Sequence, residues 1–327
     1  MWLVCDFLIY SNGVVFLMRL FPFSLIAITL LISLCVILNK QSPVHGRKKP
    51  QVVCTTTLLA DMIEQIAGDT IEIISLMKPG IDPHLYKATE NDMHYIANAD
   101  LIIYQGLHLE GKMAELFKAM KSYKPTFAAS KALVKSDIRS TDSAECYDPH
   151  VWFSIPLWIK LVHYVTRILV ENFPVHADAY RERSLCYCHE LENIHNYVLE
   201  RAKELLPAQR VIITAHDAFG YFGQTYGFEV IGLQGISTDA DISTASVENL
   251  ARYIADNNIS TVFTELSIPP KSIEALQQAV ARYHKKVFIG PELYTDSLGD
   301  KDSPASTYSS MMRYTIDTLV TALQIKE

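Results

Sequence analysis

Short apolar runs rich in Val and Ile alternate with amphipathic segments along most of the chain, and this alternation restricts the possible folds more than any other feature. Three predicted strands and three predicted helices alternate in the first half: strands 51–55, 70–77 and 101–104, and helices 57–68, 89–97 and 110–120. The second half repeats the pattern with strands 210–214, 228–232, 260–264 and 286–289, helices 245–257 and 270–283, and a last helix at about 305–325. Strands that alternate with helices form parallel sheets with right-handed crossovers, so the fold class is α/β.

The two halves are separated by a long segment without helix breakers. No glycine or proline occurs between Val175 and Leu206, which predicts a helix of about 30 residues and about 45 Å at 1.5 Å per residue. We therefore predict an N-terminal lobe at 47–174, a linking helix at 175–206 and a C-terminal lobe at 207–327. The long helix joins the lobes, and a cleft lies between them.

Three histidines and one aspartate occupy the places where such a fold binds ligands. They are His84, His150, His216 and Asp296. His216 ends an apolar run, and the others lie in turns after predicted strands or before a helix, where open α/β sheets bind ligands. Two donors from each lobe would meet across the cleft. Three imidazoles and one carboxylate suit Zn²⁺, Mn²⁺ or Fe²⁺, whereas Ca²⁺ and Mg²⁺ prefer oxygen ligands.

Other groups of potential ligands fit a metal site less well. A single loop histidine is more often a hydrogen-bonding or surface residue than a ligand, so the prediction depends on the four acting together. His108 follows a predicted strand and is the first substitute. Cys186, Cys188, His189 and His195 lie in the predicted linking helix. Positions 186 and 188 point about 200° apart there, and positions 188 and 195 are separated by about 10 Å, so no pair holds one ion.

The amino terminus predicts export. No charged residue interrupts Leu20–Leu38, a run close to the length that spans a bilayer. Three alternatives stay open for residues 1–46: a signal sequence cleaved near 44–46, a lipid anchor at Cys35, or a retained membrane anchor. Met18 is an alternative start. We expect a periplasmic or extracytoplasmic protein in each case.

The charge balance limits the kind of partner. The chain has 29 basic and 36 acidic residues, a net charge of −7. A mildly acidic exported protein suits a cationic ligand, and the absence of a clustered basic patch argues against nucleic acid. Asp239 and Asp241 form an acidic pair that we interpret as solvated.

Five segments carry a resemblance to a known family: Pro83-His84, Asp148-Pro-His150-Val-Trp, Ala215-His-Asp-Ala-Phe-Gly-Tyr-Phe222, Gly235-Ile-Ser-Thr238 and Leu293-Tyr-Thr-Asp-Ser-Leu298. Over residues 50–327 the chain resembles the metal-binding solute-binding proteins of ABC transporters, and within them the treponemal and chlamydial receptors. The resemblance implies a rigid linking helix and a metal held between two lobes by His84, His150, His216 and Asp296. Manganese-specific relatives carry Glu in place of His216, and many zinc-specific relatives carry a His-rich loop that this chain lacks. The resemblance therefore does not select one metal among Zn, Mn and Fe.

The resulting hypothesis is a monomeric, non-enzymatic receptor that hands a metal to an ABC permease with its ATPase. One alternative is a zinc-dependent hydrolase with Asp217 or Glu265 as general base, and another is a surface adhesin. We also expect the polar segment 295–304, which carries Asp296, to become ordered when metal binds.

Overall fold

Two short strands near the amino terminus, β1 (Asp6–Ser11) and β2 (Val14–Arg19), form an antiparallel hairpin. The computed structural model describes residues 6–11, 14–19, 49–140 and 147–324. The apolar run 20–38 and Cys35 lie outside these residues, so the signal or anchor segment stays a prediction. None of the described helices is both long and apolar enough to cross a bilayer.

The first half of the remaining chain builds a four-stranded parallel sheet. Its elements are strands β3 (Gln51–Cys54), β4 (Glu72–Ser75), β5 (Leu101–Tyr104) and β6 (Thr126–Ala128), and helices α1 (Thr57–Ala67), α2 (Glu90–Asn98) and α3 (Ala114–Met120). The strand order is β4–β3–β5–β6, and each neighbouring pair is parallel. All four residues of β3 are buried, as expected for a central parallel strand covered on both faces.

The second half builds two parallel strand pairs behind two long helices. Its elements are helices α4 (Ile155–Asn172) and α5 (Ala177–Ala202), strand β7 (Val211–His216), helix α6 (Gly220–Tyr226), strand β8 (Glu229–Gln234), helix α7 (Thr244–Asp256), strand β9 (Thr261–Glu265), helix α8 (Lys271–Ala281), strand β10 (Phe288–Leu293) and helix α9 (Tyr308–Gln324). Strand β7 pairs with β8, and β9 pairs with β10. Strands β7 and β9 lie next to each other, which brings their carboxyl ends together.

The predicted parallel α/β architecture is confirmed, with local differences. Strand β6 and helix α6 were not predicted. The long helix α5 has 26 residues, about 39 Å, and is shorter than predicted because a 3₁₀ turn at Pro174–His176 precedes it. Lys203 then ends it at its carboxyl end.

One face of helix α5 packs against the main hydrophobic core. Its buried residues recur every three or four positions, and they pack with helices α1, α4 and α9. The same core cluster contains residues from both halves, including Leu58, Leu191 and Phe263. Residues Lys49–Glu327 form one compact unit, so the lobe boundaries at 174 and 207 stay predictions.

Candidate metal centre

The four predicted ligands converge on one buried point. The Nε2 atoms of His84 and His216 each lie 3.3 Å from Nε2 of His150. Asp296 completes the group: its Oδ1 lies 3.5 Å from Nε2 of His150, and its Oδ2 lies 3.4 Å from Nε2 of His216. These are the four side chains in the described residues whose donor atoms are close enough to share a metal ion.

The spacing of neighbouring donors is close to the edge length of a tetrahedral metal shell. In a tetrahedron the edge is about 1.63 times the centre-to-corner distance, so Zn–N bonds of about 2.0–2.1 Å require donors about 3.3–3.4 Å apart. Four donor contacts of 3.3–3.5 Å agree with this value, and all four donor groups lie within 4.8 Å of one another. Packing alone would not hold three ring nitrogens and a carboxylate so close together, because each is polar and buried.

Strand ends and tight turns deliver the four side chains. His216 is the last residue of β7, and Asp296 follows β10 by three residues. The neighbouring Gly232 on β8 is required for this approach, since a Cβ there would lie 2.3 Å from the backbone nitrogen of Asp217. The chain therefore places His216 and Asp296 at the carboxyl ends of strands β7 and β10, where ligands of α/β proteins bind, and turns from the first half bring His84 and His150 to them.

Asp148 supports the imidazole of His150 on the side away from the centre. Its Oδ1 accepts a hydrogen bond from the backbone N–H of His150 at 3.0 Å and contacts Nδ1 of the same ring at 2.8 Å. Arg139 donates to the other carboxylate oxygen at 2.6 Å. With Nδ1 engaged, Nε2 of His150 is the nitrogen left for a metal.

Glu265, the last residue of β9, supports His216 in the same way. Its Oε1 accepts from the backbone N–H of His216 at 2.9 Å, and its Oε2 lies 2.7 Å from Nδ1 of the ring. The second contact is too bent to form a hydrogen bond, although the distance is short. Burial alone would lower the pKa of His216, but the charges of Glu265 and Asp296 outweigh burial and raise it well above its usual value.

His84 is held differently. Its backbone N–H donates to Oδ1 of Asp82 at 2.8 Å. In the described part of the chain, no carboxylate contacts its Nδ1, in contrast to the other two histidines. Burial lowers the pKa of His84 to about 3, so its ring is neutral at physiological pH.

Asp296 has one oxygen left for a metal. Ser267 donates to its Oδ2 at 3.1 Å, whereas its buried Oδ1 has no hydrogen-bond donor. Burial would raise the pKa of Asp296, but the charges of His216 and His150 hold it well below its usual range. An ionised, unpartnered carboxylate oxygen beside three imidazole nitrogens fits a divalent transition metal.

The loop that carries Asp296 is hydrogen-bonded to the first half of the chain, and its predicted ordering by metal stays a prediction. Trp152 Nε1 donates to the carbonyl of Thr295 at 2.8 Å, and the backbone N–H of Leu298 donates to Thr57 Oγ1 at 2.8 Å. The N–H of Gly80 donates to Ser297 Oγ at 2.9 Å. Residues 295–299 are buried.

The other candidate ligands lie elsewhere. His108 is exposed and lines a neighbouring cavity, and Cys186 is exposed on α5. The thiol of Cys188 lies 3.9 Å from Nε2 of His163, while His195 contacts the hydroxyl of Tyr226 at 3.1 Å. No ion can be shared among these groups.

The supporting acids Asp82 and Asp148 were missed, although the sequence signals them. Each begins an Asp-Pro-His tripeptide, and each accepts a hydrogen bond from the backbone N–H of its histidine two residues later. This is the usual local turn of an aspartate side chain. Glu265 has no such local signal, because its contact with His216 spans 49 residues.

Comparison with known proteins gives consistent results. Residues 52–322 match the family described as zinc-uptake complex component A, periplasmic. The chain is 42% identical over 275 residues to the zinc-binding protein TroA of Treponema pallidum (strain Nichols), covering 84% of this chain and 89% of that one. It is 39% identical over 274 residues to the manganese-binding lipoprotein MntA of Bacillus subtilis (strain 168), covering 84% and 90%.

The solved structures extend this likeness to three dimensions. The periplasmic zinc-binding protein TroA of Treponema pallidum superposes with a TM-score of 0.83 at 42% identity, covering 84% of this chain and 99% of that chain. Fe(III)-bound YtgA of Chlamydia trachomatis superposes with a TM-score of 0.76 at 23% identity, covering 84% and 98%, and so shares the fold. The resemblance drawn from the motif segments and the two-lobed parallel α/β fold are both confirmed.

Proposed function

The chain belongs to the zinc-uptake component A family of periplasmic proteins, and we propose that it captures one divalent transition-metal ion outside the cytoplasm and delivers it to an ABC permease. The observation that carries the proposal is the buried cluster of three Nε2 atoms and one carboxylate, in which neighbouring donors lie 3.3–3.5 Å apart. We assign His84, His150, His216 and Asp296 as the metal ligands.

The cargo is Zn²⁺, Mn²⁺ or Fe²⁺. The contacts between neighbouring donors are close to the spacing in tetrahedral Zn²⁺ sites, and three imidazoles with one carboxylate also suit Mn²⁺ and Fe²⁺. Relatives named for zinc, manganese and iron all resemble this chain. Zn²⁺ should bind more tightly than Mn²⁺ in vitro by the usual order of divalent affinities, so supply in the compartment helps to decide the physiological cargo.

The contacts of the two candidate bases favour binding without catalysis. Both oxygens of Glu265 face His216, so this carboxylate is occupied in holding a ligand. Asp217 lies 3.9 Å from the Arg139 guanidinium. Four protein donors around one point also leave no obvious position for an activated water, which a catalytic zinc site requires. No contact in the described residues favours the adhesin alternative.

Delivery requires partners beyond the metal. We propose that the protein acts as a monomer and docks on a membrane permease with its ATPase. The N-terminal segment would keep it in the periplasm or tethered at the membrane.

Elemental analysis of protein purified without added metal tests the capture step. We expect one transition-metal ion per chain, with competition among Zn²⁺, Mn²⁺ and Fe²⁺ ranking the affinities. His150→Ala should lower Zn²⁺ affinity by at least 100-fold, whereas His94→Ala, an exposed histidine on α2, should leave it unchanged. Hydrolysis of esters or phosphates by the metal-loaded protein would contradict the proposal. So would metal uptake by cells that did not require the matching permease.

A further inference from the structure

A cavity of about 240 Å³ opens on the metal centre at His84. His84 is 5% exposed, while the other three ligands are at most 1% exposed. Leu107, His108 and Lys112 line the cavity from the first half of the chain, and Ile236, Ser237 and Asp239 line it from the second. We propose that this cavity is the route by which metal enters and leaves, and that residues 235–239 form a lid over it. The proposal rests on the function assigned above.

Two polar contacts close the lid across the cleft. Lys112 Nζ lies 2.8 and 2.9 Å from the two carboxylate oxygens of Asp239. Thr238 Oγ1 donates to Oδ2 of Asp82 at 2.6 Å. Both contacts join segments more than 120 residues apart in sequence, so opening the lid breaks them together.

The second contact reaches a ligand. Asp82 accepts the Thr238 hydroxyl on one oxygen and the backbone N–H of His84 on the other. Thr238 therefore holds the Asp82 carboxylate in place, and this carboxylate in turn stabilises the turn that carries His84. When the lid opens, Asp82 loses its partner across the cleft and the position of His84 is less restrained. Thr238 and Asp82 are positioning residues for this ligand.

Among the residues that the structure describes, those on the opposite side of the centre are more tightly packed. There Thr295, Ser297 and Leu298 are at most 3% exposed, and each is hydrogen-bonded to the first half of the chain. In contrast, Lys112 and Asp239 are 35% and 56% exposed at their side chains. An exposed ion pair contributes little and is screened by salt, so the lid is the side that opens more readily.

Stopped-flow measurements with Zn²⁺ and a fluorescent zinc chelator test the lid. Thr238→Val should raise the Zn²⁺ dissociation rate about tenfold, as expected for loss of a hydrogen bond to a charged group. Lys112→Glu should raise it about two- to fivefold, the range of an exposed ion pair. Association should become faster as well, because a looser lid admits metal more often. The equilibrium Kd should therefore rise by less than the dissociation rate.

A charge exchange provides the internal control. Asp239→Lys combined with Lys112→Glu should return both rates to within twofold of the unaltered protein. The matched control is Lys160→Glu, which breaks the ion pair with Asp137 and should leave both rates unchanged.

Two results would overturn the lid. In the first, Thr238→Val and Lys112→Glu leave the Zn²⁺ association and dissociation rates within twofold of those of the unaltered protein. In the second, the two substitutions raise Kd only by raising the dissociation rate, with no change in the association rate. Failure of the unaltered chain to bind one Zn²⁺ would instead refute the proposed function, so the two failures are distinguishable.

Discussion

Two carboxylates orient two of the three imidazoles of the candidate metal centre. Asp148 and Glu265 each contact the backbone N–H and Nδ1 of one histidine, which leaves Nε2 facing the centre. Such outer carboxylates orient the ring and increase its basicity. His84 lacks this support in the described residues, so the three imidazoles are not equivalent.

Replacing Glu265 by Gln tests this support. The amide has one acceptor oxygen, so it can serve either the backbone N–H or Nδ1 of His216, and its NH₂ group then faces a donor. We expect Zn²⁺ affinity to fall about 10- to 100-fold. Competition with a chelator measures the change, and the visible spectrum of bound Co²⁺ reports whether four donors are kept. Glu292→Gln, an exposed glutamate on β10, is the matched control. Equal affinity of the two variants would exclude a positioning role for Glu265.

The affinity for metal should depend on pH because protons compete for the rings. The pKa of His150 is raised, since the contacts from Asp148 and Asp296 outweigh burial, and that of His216 is raised well above 6.5. A histidine whose pKa is raised by folding stabilises the metal-free protein at low pH. This stabilisation is lost as the pH rises through the pKa that the histidine has in the folded state. A metal ion binds only to neutral imidazole rings. Its binding must therefore displace the protons that stabilise the metal-free protein.

We therefore expect Zn²⁺ affinity to fall on acidification and to begin falling above pH 6.5. Titrations between pH 8.5 and 5.5 with a pH-insensitive competitor measure it. The release of protons on binding, measured in two buffers of different ionisation enthalpy, checks the cause. Constant affinity across this range would contradict the assignment of His150 and His216.

Among the elements, the longer strands were more predictable than the short connecting pieces. A β-branched run such as Val211–His216 specifies both a buried strand and the edge where its last residue emerges. Strand β6 has only three residues, and helix α6 begins at a glycine and contains a second, so neither gives a clear periodic pattern. The support that Glu265 gives to His216 could not be predicted, because a contact across 49 residues has no local signature.

Helices α1 and α9 are joined by a buried acid whose charge is unfavourable. Asp61 accepts from the backbone N–H of Tyr308 at 3.1 Å and from Gln65 at 3.2 Å. Burial raises the pKa of Asp61 to about 6, above its ordinary 3.8. Its ionisation therefore destabilises the fold above pH 6, and this effect disappears as the pH falls towards 3.8.

Asp61→Asn should raise the melting temperature of the metal-free protein at pH 8. The asparagine oxygen can still accept from Tyr308, and Gln65 can turn its amide to match. The gain is roughly 1–3 kcal/mol, or about 2–6 °C, and it should shrink at pH 5. Asp302→Asn, an exposed site, controls for net charge. A gain of the same size at both pH values would show that burial of the charge is not the cause.

Within residues 49–327, the two predicted lobes share one main hydrophobic core, and this core is not divided into a separate core for each lobe. The main cluster includes Leu58 from α1, Leu191 from α5 and Leu319 from α9, while smaller clusters lie outside it in each half. The helix predicted as a strut between lobes is therefore packed on several sides. A large bend between the halves would expose apolar surface, which favours a local lid over a hinge.

A shared core predicts that both halves unfold together. Leu191 is fully buried in the middle of α5, and Leu191→Ala should lower the free energy of unfolding by about 2–5 kcal/mol. Leu185→Ala on the same helix is the control, because Leu185 is 66% exposed and its loss should change stability by less than about 0.5 kcal/mol. Urea unfolding with chelator present should give one transition in both proteins, with coincident curves from tryptophan fluorescence and far-UV circular dichroism. Trp152 and Trp158 both lie in the shared core and report on it directly. If Leu191→Ala splits the curve into two steps, the halves have independent stability, and metal binding could then close them as rigid bodies.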